Sequence, residues 1–152
     1  MRQIIYLLLL QLFFVGVSAQ SLQTATGIVF EDINKNNSYD QGEPVIPDVA
    51  VSNGTDVVLT DENGRYRIAV GEDAIVFVIK PGNYNYPVSA LNLPQFFYNH
   101  KPNGSPELKF EGVPPTGPLP SSIDFPLISN GGVDDFSVLV FSDPQPYIEE
   151  HI

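Results

Sequence analysis

Between positions 32 and 43 the chain places oxygen-bearing side chains at a spacing suited to a hard cation. Asp32, Asn34, Asn36, Ser38, Asp40 and Glu43 fall at positions 1, 3, 5, 7, 9 and 12 of a twelve-residue loop. Those are the ligand offsets of EF-hand loops, in which position 7 contributes its backbone carbonyl. Position 6 needs a positive φ and is normally Gly; here it is Asn37, the residue next best suited to that conformation. Three carboxylates with amide oxygens favour Ca2+ over Zn2+, which prefers nitrogen and sulfur. An Asn/Asp-rich turn that binds nothing would have the same composition, and the spacing leaves both readings open. The flanking segments read as strands rather than helices, which suits a structural clamp better than a sensor.

A second candidate lies near the end of the sequence. Phe136, Val138, Leu139, Val140 and Phe141 form a near-continuous apolar run, broken by Ser142, Asp143, Pro144 and Gln145. Such a run suits a strand covered on both faces in a parallel or mixed α/β sheet. Functional side chains gather just beyond the carboxyl ends of such strands, where Asp143 and Gln145 would stand. Asp143 with Pro144 also reads as simple strand-ending punctuation. His100 and His151 read as surface histidines. Tyr84, Tyr86, Phe96, Phe97 and Tyr98 form an aromatic cluster, either a ligand platform or packing at the edge of a sandwich. No nucleophile elbow occurs, and Gly131 and Gly132 precede a strand rather than a helix, so they form no phosphate cradle.

The elements that must position these residues are mostly strands. Met1, Arg2 and Gln3 give a short positive start, residues 4–15 are apolar apart from Tyr6 and Gln11, and Val17, Ser18 and Ala19 offer small residues for cleavage before Gln20. This pattern predicts a secretory signal peptide over residues 1–19, with no membrane span left after its removal and a secreted or periplasmic mature chain. The absence of cysteine excludes disulfide stapling, and a net charge of −11 argues against nucleic-acid partners. Fourteen prolines and 12 glycines, without helical periodicity after the leader, indicate an all-β module. Strands are expected over 24–30, 49–52, 56–60, 65–70 and 74–79, the last more fully buried. A short strand at 107–110 and a closing strand at 122–128 follow. Asn53 and Gly54 signal a hairpin, and Tyr66, Ile68 and Val70 alternate with residues of a solvent face. The prolines from 114 to 120 exclude a central strand there. The expected organisation is a leader at 1–19, a β-sandwich at 20–128, a linker at 129–135 and the start of another domain at 136–152.

Gly27 to Phe30 before the acidic loop, Ile46 to Val51 after it, and Thr60, Asp61, Gly64 and Tyr66 beyond make a pattern similar to the B-type modules of bacterial surface adhesins and the related carboxypeptidase-regulatory, prealbumin-like sandwiches. The resemblance implies an antiparallel prealbumin/Ig-like β-sandwich whose acidic loop binds calcium. With the leader in front and the run ending at Asp143 and Gln145 behind, the whole resembles the N-terminal half of secreted bacterial calcineurin-like phosphoesterases. That resemblance implies a truncated α/β domain after the sandwich, with a dinuclear divalent metal site in a catalytic domain missing from residues 1–152. The family's first motif is Asp-x-His, and a branch uses Asp-x-Gln; Asp143 matches the Asp and Gln145 stands in the second position. The later Gly-Asp, Gly-Asn-His and Gly-His-x-His motifs are absent. The chain itself is therefore expected to be inactive, with its own downstream catalytic domain as partner. A competing expectation is a stand-alone secreted, calcium-stabilised adhesion or carbohydrate-binding module.

Overall fold

The computed structural model describes residues 22–107, 109–132, 135, 137 and 140. The leader at 1–19, Asp143, Gln145 and His151 lie outside the described residues, as does most of the apolar run at 136–141.

Eight strands follow in order: β1 (Gln23–Glu31), β2 (Ala50–Ser52), β3 (Val57–Leu59), β4 (Arg65–Val70), β5 (Ala74–Ile79), β6 (Tyr84–Asn85), β7 (Phe97–His100) and β8 (Phe125–Ser129). They form two four-stranded sheets, ordered β4-β1-β8-β6 and β3-β2-β5-β7. The described chain is thus an all-β sandwich. Every pairing is antiparallel except β1 with β8, which run parallel from Val29 opposite Phe125 to Glu31 opposite Leu127. Strand β8 is free to run parallel to β1, since it arrives by a long connection rather than a hairpin and neither direction is imposed on it.

The core lies between the sheets. Ala25 and Val29 of β1, Tyr66, Ile68 and Val70 of β4, and Phe125 and Leu127 of β8 meet Val51, Val76 and Val78 from the other sheet. Strand β4 alternates strictly, with Arg65, Arg67 and Ala69 exposed, as a one-sided strand must. Gly27 sits at the tightest point. A Cβ there would overlap the Ile123 carbonyl oxygen and approach Tyr66 Cε1 to 2.8 Å, so the residue is glycine because backbone and ring already occupy that space.

Several sequence expectations change. Strand β5 is not buried on both faces: Val76 and Val78 are enclosed, whereas Ile75 and Ile79 are exposed. The aromatic segment, where no strand is expected, supplies β6 and β7, and β7 pairs with β5 from Phe77 opposite Phe97 to Ala74 opposite His100. No strand forms among the described residues of 107–110. His100 is not a surface residue but fully buried, and neither ring nitrogen has a hydrogen-bond partner. It points inward because its register partner Ala74 shares the face of Val76 and Val78.

Candidate metal loop

The loop at 32–43 is closed by the backbone at its base. Phe30 pairs with Val45 across an isolated bridge, Glu31 N donates to Pro44 O (2.8 Å), and Ile46 N donates to Val29 O (2.9 Å). Asp32 N donates to Leu127 O (2.9 Å), which ties the first loop residue to β8. Phe30 faces away from the sandwich core yet is fully buried, since Tyr39 of the loop folds over it with ring centroids 5.3 Å apart. This aromatic contact is the loop's apolar anchor.

Inside the loop, short polar side chains bind the backbone two to five residues on. Asp32, only 1% exposed, accepts from Asn36 N through Oδ1 (3.1 Å) and from Asn37 N through Oδ2 (2.8 Å). Asn34 Oδ1 accepts from Asn36 N (3.0 Å), and Asn36 Oδ1 accepts from Ser38 N (2.7 Å). These Asx turns bend the chain twice, and the bends fall at Lys35 (φ 60°) and Asn37 (φ 62°). The positive φ expected at Asn37 is therefore present. Glu43 braces the far end, accepting from Ile33 N through Oε1 (3.0 Å) and from Asp40 N through Oε2 (3.0 Å).

Three of the six candidate ligands converge directly. The side-chain amides of Asn34 and Asn36 both donate to Asp40 Oδ2, at 2.7 and 2.8 Å. Asp32 and Glu43 bracket the loop through backbone N–H groups, and Ser38 contributes its own N–H to Asn36. Among the described residues no group of three or more His, Cys, Asp or Glu side chains gathers in metal-binding fashion. The convergence is instead of one carboxylate with two amides. The donor set still fits a hard cation. Each asparagine Oδ1 spends one lone pair on a backbone N–H and keeps another, and each carboxylate oxygen of Asp32 and Glu43 does likewise. The same hydrogen bonds also stand on their own as an Asx-turn network.

The next turn locks this region to the sandwich. Asp61 Oδ1 accepts from Asn63 N (2.8 Å) and Arg65 N (2.9 Å), while Gly64 O accepts from Val29 N (2.8 Å). Gly64 has φ of 68°, and a Cβ there would lie 2.7 Å from Val29 O. Thr60 Oγ1 donates to Ile46 O (2.8 Å) and accepts from Val49 N (2.9 Å). Tyr66 donates its hydroxyl to Ile123 O (2.6 Å). Burial, with a smaller contribution from the Asp124 charge, pushes the Tyr66 phenol well above its ordinary range.

The aromatic cluster divides. Tyr84, Tyr86, Phe96 and Tyr98 pack against the core, with Tyr86 and Phe96 at 5.0 Å, so packing accounts for most of it. Phe97 remains 46% exposed.

The family model described as N terminal of calcineurin-like phosphoesterase matches residues 32–114. That match starts at the first loop residue and runs through β7. No curated protein sequence matches the chain. Among solved structures, the crystal structure of the major plantain pollen allergen Pla l 1 is similar at 15% identity, covering 74% of this chain and 98% of the allergen, with a TM-score of 0.44.

Proposed function

This chain belongs to the family of N-terminal domains of calcineurin-like phosphoesterases, and on that premise we propose that it is the non-catalytic flanking module of a secreted metallophosphoesterase. The family match over residues 32–114 carries the proposal. The module is of the prealbumin-like kind, exported by the leader at residues 1–19. Its task is to hold and partly cover the catalytic domain that opens at residue 136. Asp143 and Gln145 are the first ligands of that domain's metal pair, the remaining ligands being contributed by the polypeptide that continues from this chain. Metals bound there would clamp a phosphate and supply a hydroxide nucleophile at neutral pH. Residues 1–152 alone lack the later motifs, so this chain hydrolyses no phosphoester.

Calcium in the loop at 32–43 stabilises the module and takes no part in the reaction. Asp32, Asn34, Asn36, Ser38, Asp40 and Glu43 form its ligand set. Extracellular calcium near millimolar concentration is enough to occupy even a weak site of roughly 10⁻⁴ to 10⁻³ M.

Shortening the chain after Gly132 tests the module boundary. The flanking-module reading, in which the sandwich closes with β8 (Phe125–Ser129), predicts that the thermal midpoint stays within about 2 °C. A fall of more than about 5 °C would assign the final apolar run to the sandwich and favour a stand-alone adhesion module.

A further inference from the structure

Cations are scarce in this chain, with seven Lys and Arg against 18 Asp and Glu, yet two of them line one cleft. Lys35 of the loop at 32–43 and Lys80, just beyond β5, border a hollow of about 480 Å³ together with Asn85 and Tyr86. Val88, Pro94 and Ile128 supply its apolar wall, and no carboxylate is among its lining residues. Among the described residues neither lysine makes an ion pair; the pair that forms is Lys101 with Asp73.

The polar groups of the cleft are held in place with donors to spare. Lys80 N donates to Tyr86 Oη (3.2 Å), which in turn donates to Val78 O (3.0 Å). Lys80 Nζ lies 5.9 Å from the Tyr86 ring centroid and donates once, to Pro81 O (3.5 Å), so two of its three N–H groups remain. Asn85 Oδ1 accepts from the side-chain amide of Asn130 (3.3 Å), which leaves the Asn85 amide N–H groups as donors. Lys35 stands at a φ of 60°; the other non-glycine residues at positive φ among the described residues are Asn37, Asp48 and Asn92, types that tolerate it. An asparagine at position 35 would make the same bend with less strain. Turn chemistry therefore does not account for a lysine there, whereas a use for its charge does. The carboxylates of Asp32 and Asp40 in the same loop are engaged by Asn36 N, Asn37 N and the amides of Asn34 and Asn36.

We propose that this cleft binds a small organic dianion of the phosphomonoester kind, with its charge between Lys35 and Lys80 and its carbon body on Val88, Pro94 and Ile128. Two ammonium groups and an amide, unopposed by a carboxylate, match a group carrying roughly −1.5 to −2 at pH 7 on three oxygens better than a carboxylate of single charge. The cleft falls within the roughly 300–1,000 Å³ of small-molecule sites. The net charge of −11 does not forbid an anion here, because charges farther away than about 8 Å are largely screened at physiological ionic strength. Such a site needs neither a catalytic domain nor calcium in the loop.

Phenyl phosphate, benzoate and inorganic phosphate, each titrated into the isotope-labelled 152-residue chain and followed by backbone amide chemical shifts, test the site. EGTA is present throughout, so that no cation in the loop at 32–43 holds the probe. The expected result is saturable shifts at Lys35, Lys80 and Asn85, with phenyl phosphate bound about ten-fold or more tightly than benzoate. Inorganic phosphate, which lacks the apolar body, should bind more weakly than phenyl phosphate. Lys35→Asn and Lys80→Gln should each weaken phenyl phosphate about ten-fold, and Lys35→Asn should leave the thermal midpoint equal or higher, which separates lost binding from lost folding. Lys109→Gln removes the same charge outside the cleft and should leave the affinity unchanged. The absence of saturable shifts with phenyl phosphate, or benzoate bound as tightly, would overturn the site. Equal weakening by Lys109→Gln, or none by Lys35→Asn and Lys80→Gln, would do the same.

Discussion

Replacing Asp32 by Ala perturbs the loop where it is most tightly held. The carboxylate is 1% exposed and accepts two backbone hydrogen bonds, from Asn36 N at 3.1 Å and Asn37 N at 2.8 Å. Hydrogen bonds to a charged group contribute roughly 1.5–3 kcal/mol each. Both donors lie on the partly exposed loop and regain water when the carboxylate is lost, which places the pair near the lower limit, about 3 kcal/mol in all. Asp32→Asn keeps one acceptor oxygen and should cost about half as much. Urea unfolding in EGTA, followed by far-ultraviolet circular dichroism, reads both values against a total stability of roughly 5–15 kcal/mol. Repeating the titration with calcium at about ten times its dissociation constant should add about 1.4 kcal/mol to the unsubstituted chain and nothing to Asp32→Ala. A loss below about 1 kcal/mol in EGTA would show that the carboxylate does not anchor the loop. An intact calcium increment in Asp32→Ala would remove Asp32 from the ligand set.

The remaining predictions concern the sandwich. Gly27→Ala drives a methyl group into the Ile123 carbonyl and toward Tyr66, and should cost about 3 kcal/mol or more, read as a lower urea midpoint at unchanged slope; a cost under about 1 kcal/mol would mean the strands part easily there. Tyr66 is neutral when protonated, and its folded-state pKa is raised. Its contribution is therefore fully present below the unfolded value of about 10 and is lost as pH rises through the higher folded value. Tyr66→Phe loses the hydrogen bond to Ile123 O, costing about 1 kcal/mol at pH 7, and should flatten the decline of stability above about pH 10; an unchanged alkaline slope would contradict this. His100→Leu exchanges a buried ring with two unpartnered nitrogens for an apolar side chain of similar bulk, and should stabilise by about 1 kcal/mol in thermal unfolding at pH 7; destabilisation would show that the ring is satisfied in solution.

Much of the loop was legible because its geometry is encoded locally. Asp32, Asn34 and Asn36 each bond backbone groups within five residues, so their types and spacing suffice to forecast the bends, including positive φ at Asn37. The three stretches that resembled known sandwiches also meet in space: Gly64 O binds Val29 N, Ile46 N binds Val29 O, and Thr60 holds Ile46 and Val49. Alternation in β4 was readable because only one of its faces is apolar. Strand β5 was misread for the converse reason. Its outer face carries Ile75, Phe77 and Ile79, so period-two alternation disappears and an exposed face looks like a buried one. Strand β7 was hidden because its partner β5 lies some twenty residues earlier and prolines obscure the local pattern. The burial of His100 follows only from that pairing, since its inward direction is set by the register with Ala74. The parallel β1–β8 contact likewise joins segments about a hundred residues apart, with no local signal for direction.

The most direct test of the flanking-module account is the nucleotide sequence of the intact reading frame beyond codon 152. The account predicts that the frame continues through an α/β domain carrying Gly-Asp, Gly-Asn-His and Gly-His-x-His motifs that complete the site begun by Asp143 and Gln145. A frame that stops, or that continues without aspartate- and histidine-rich metal motifs, would contradict it.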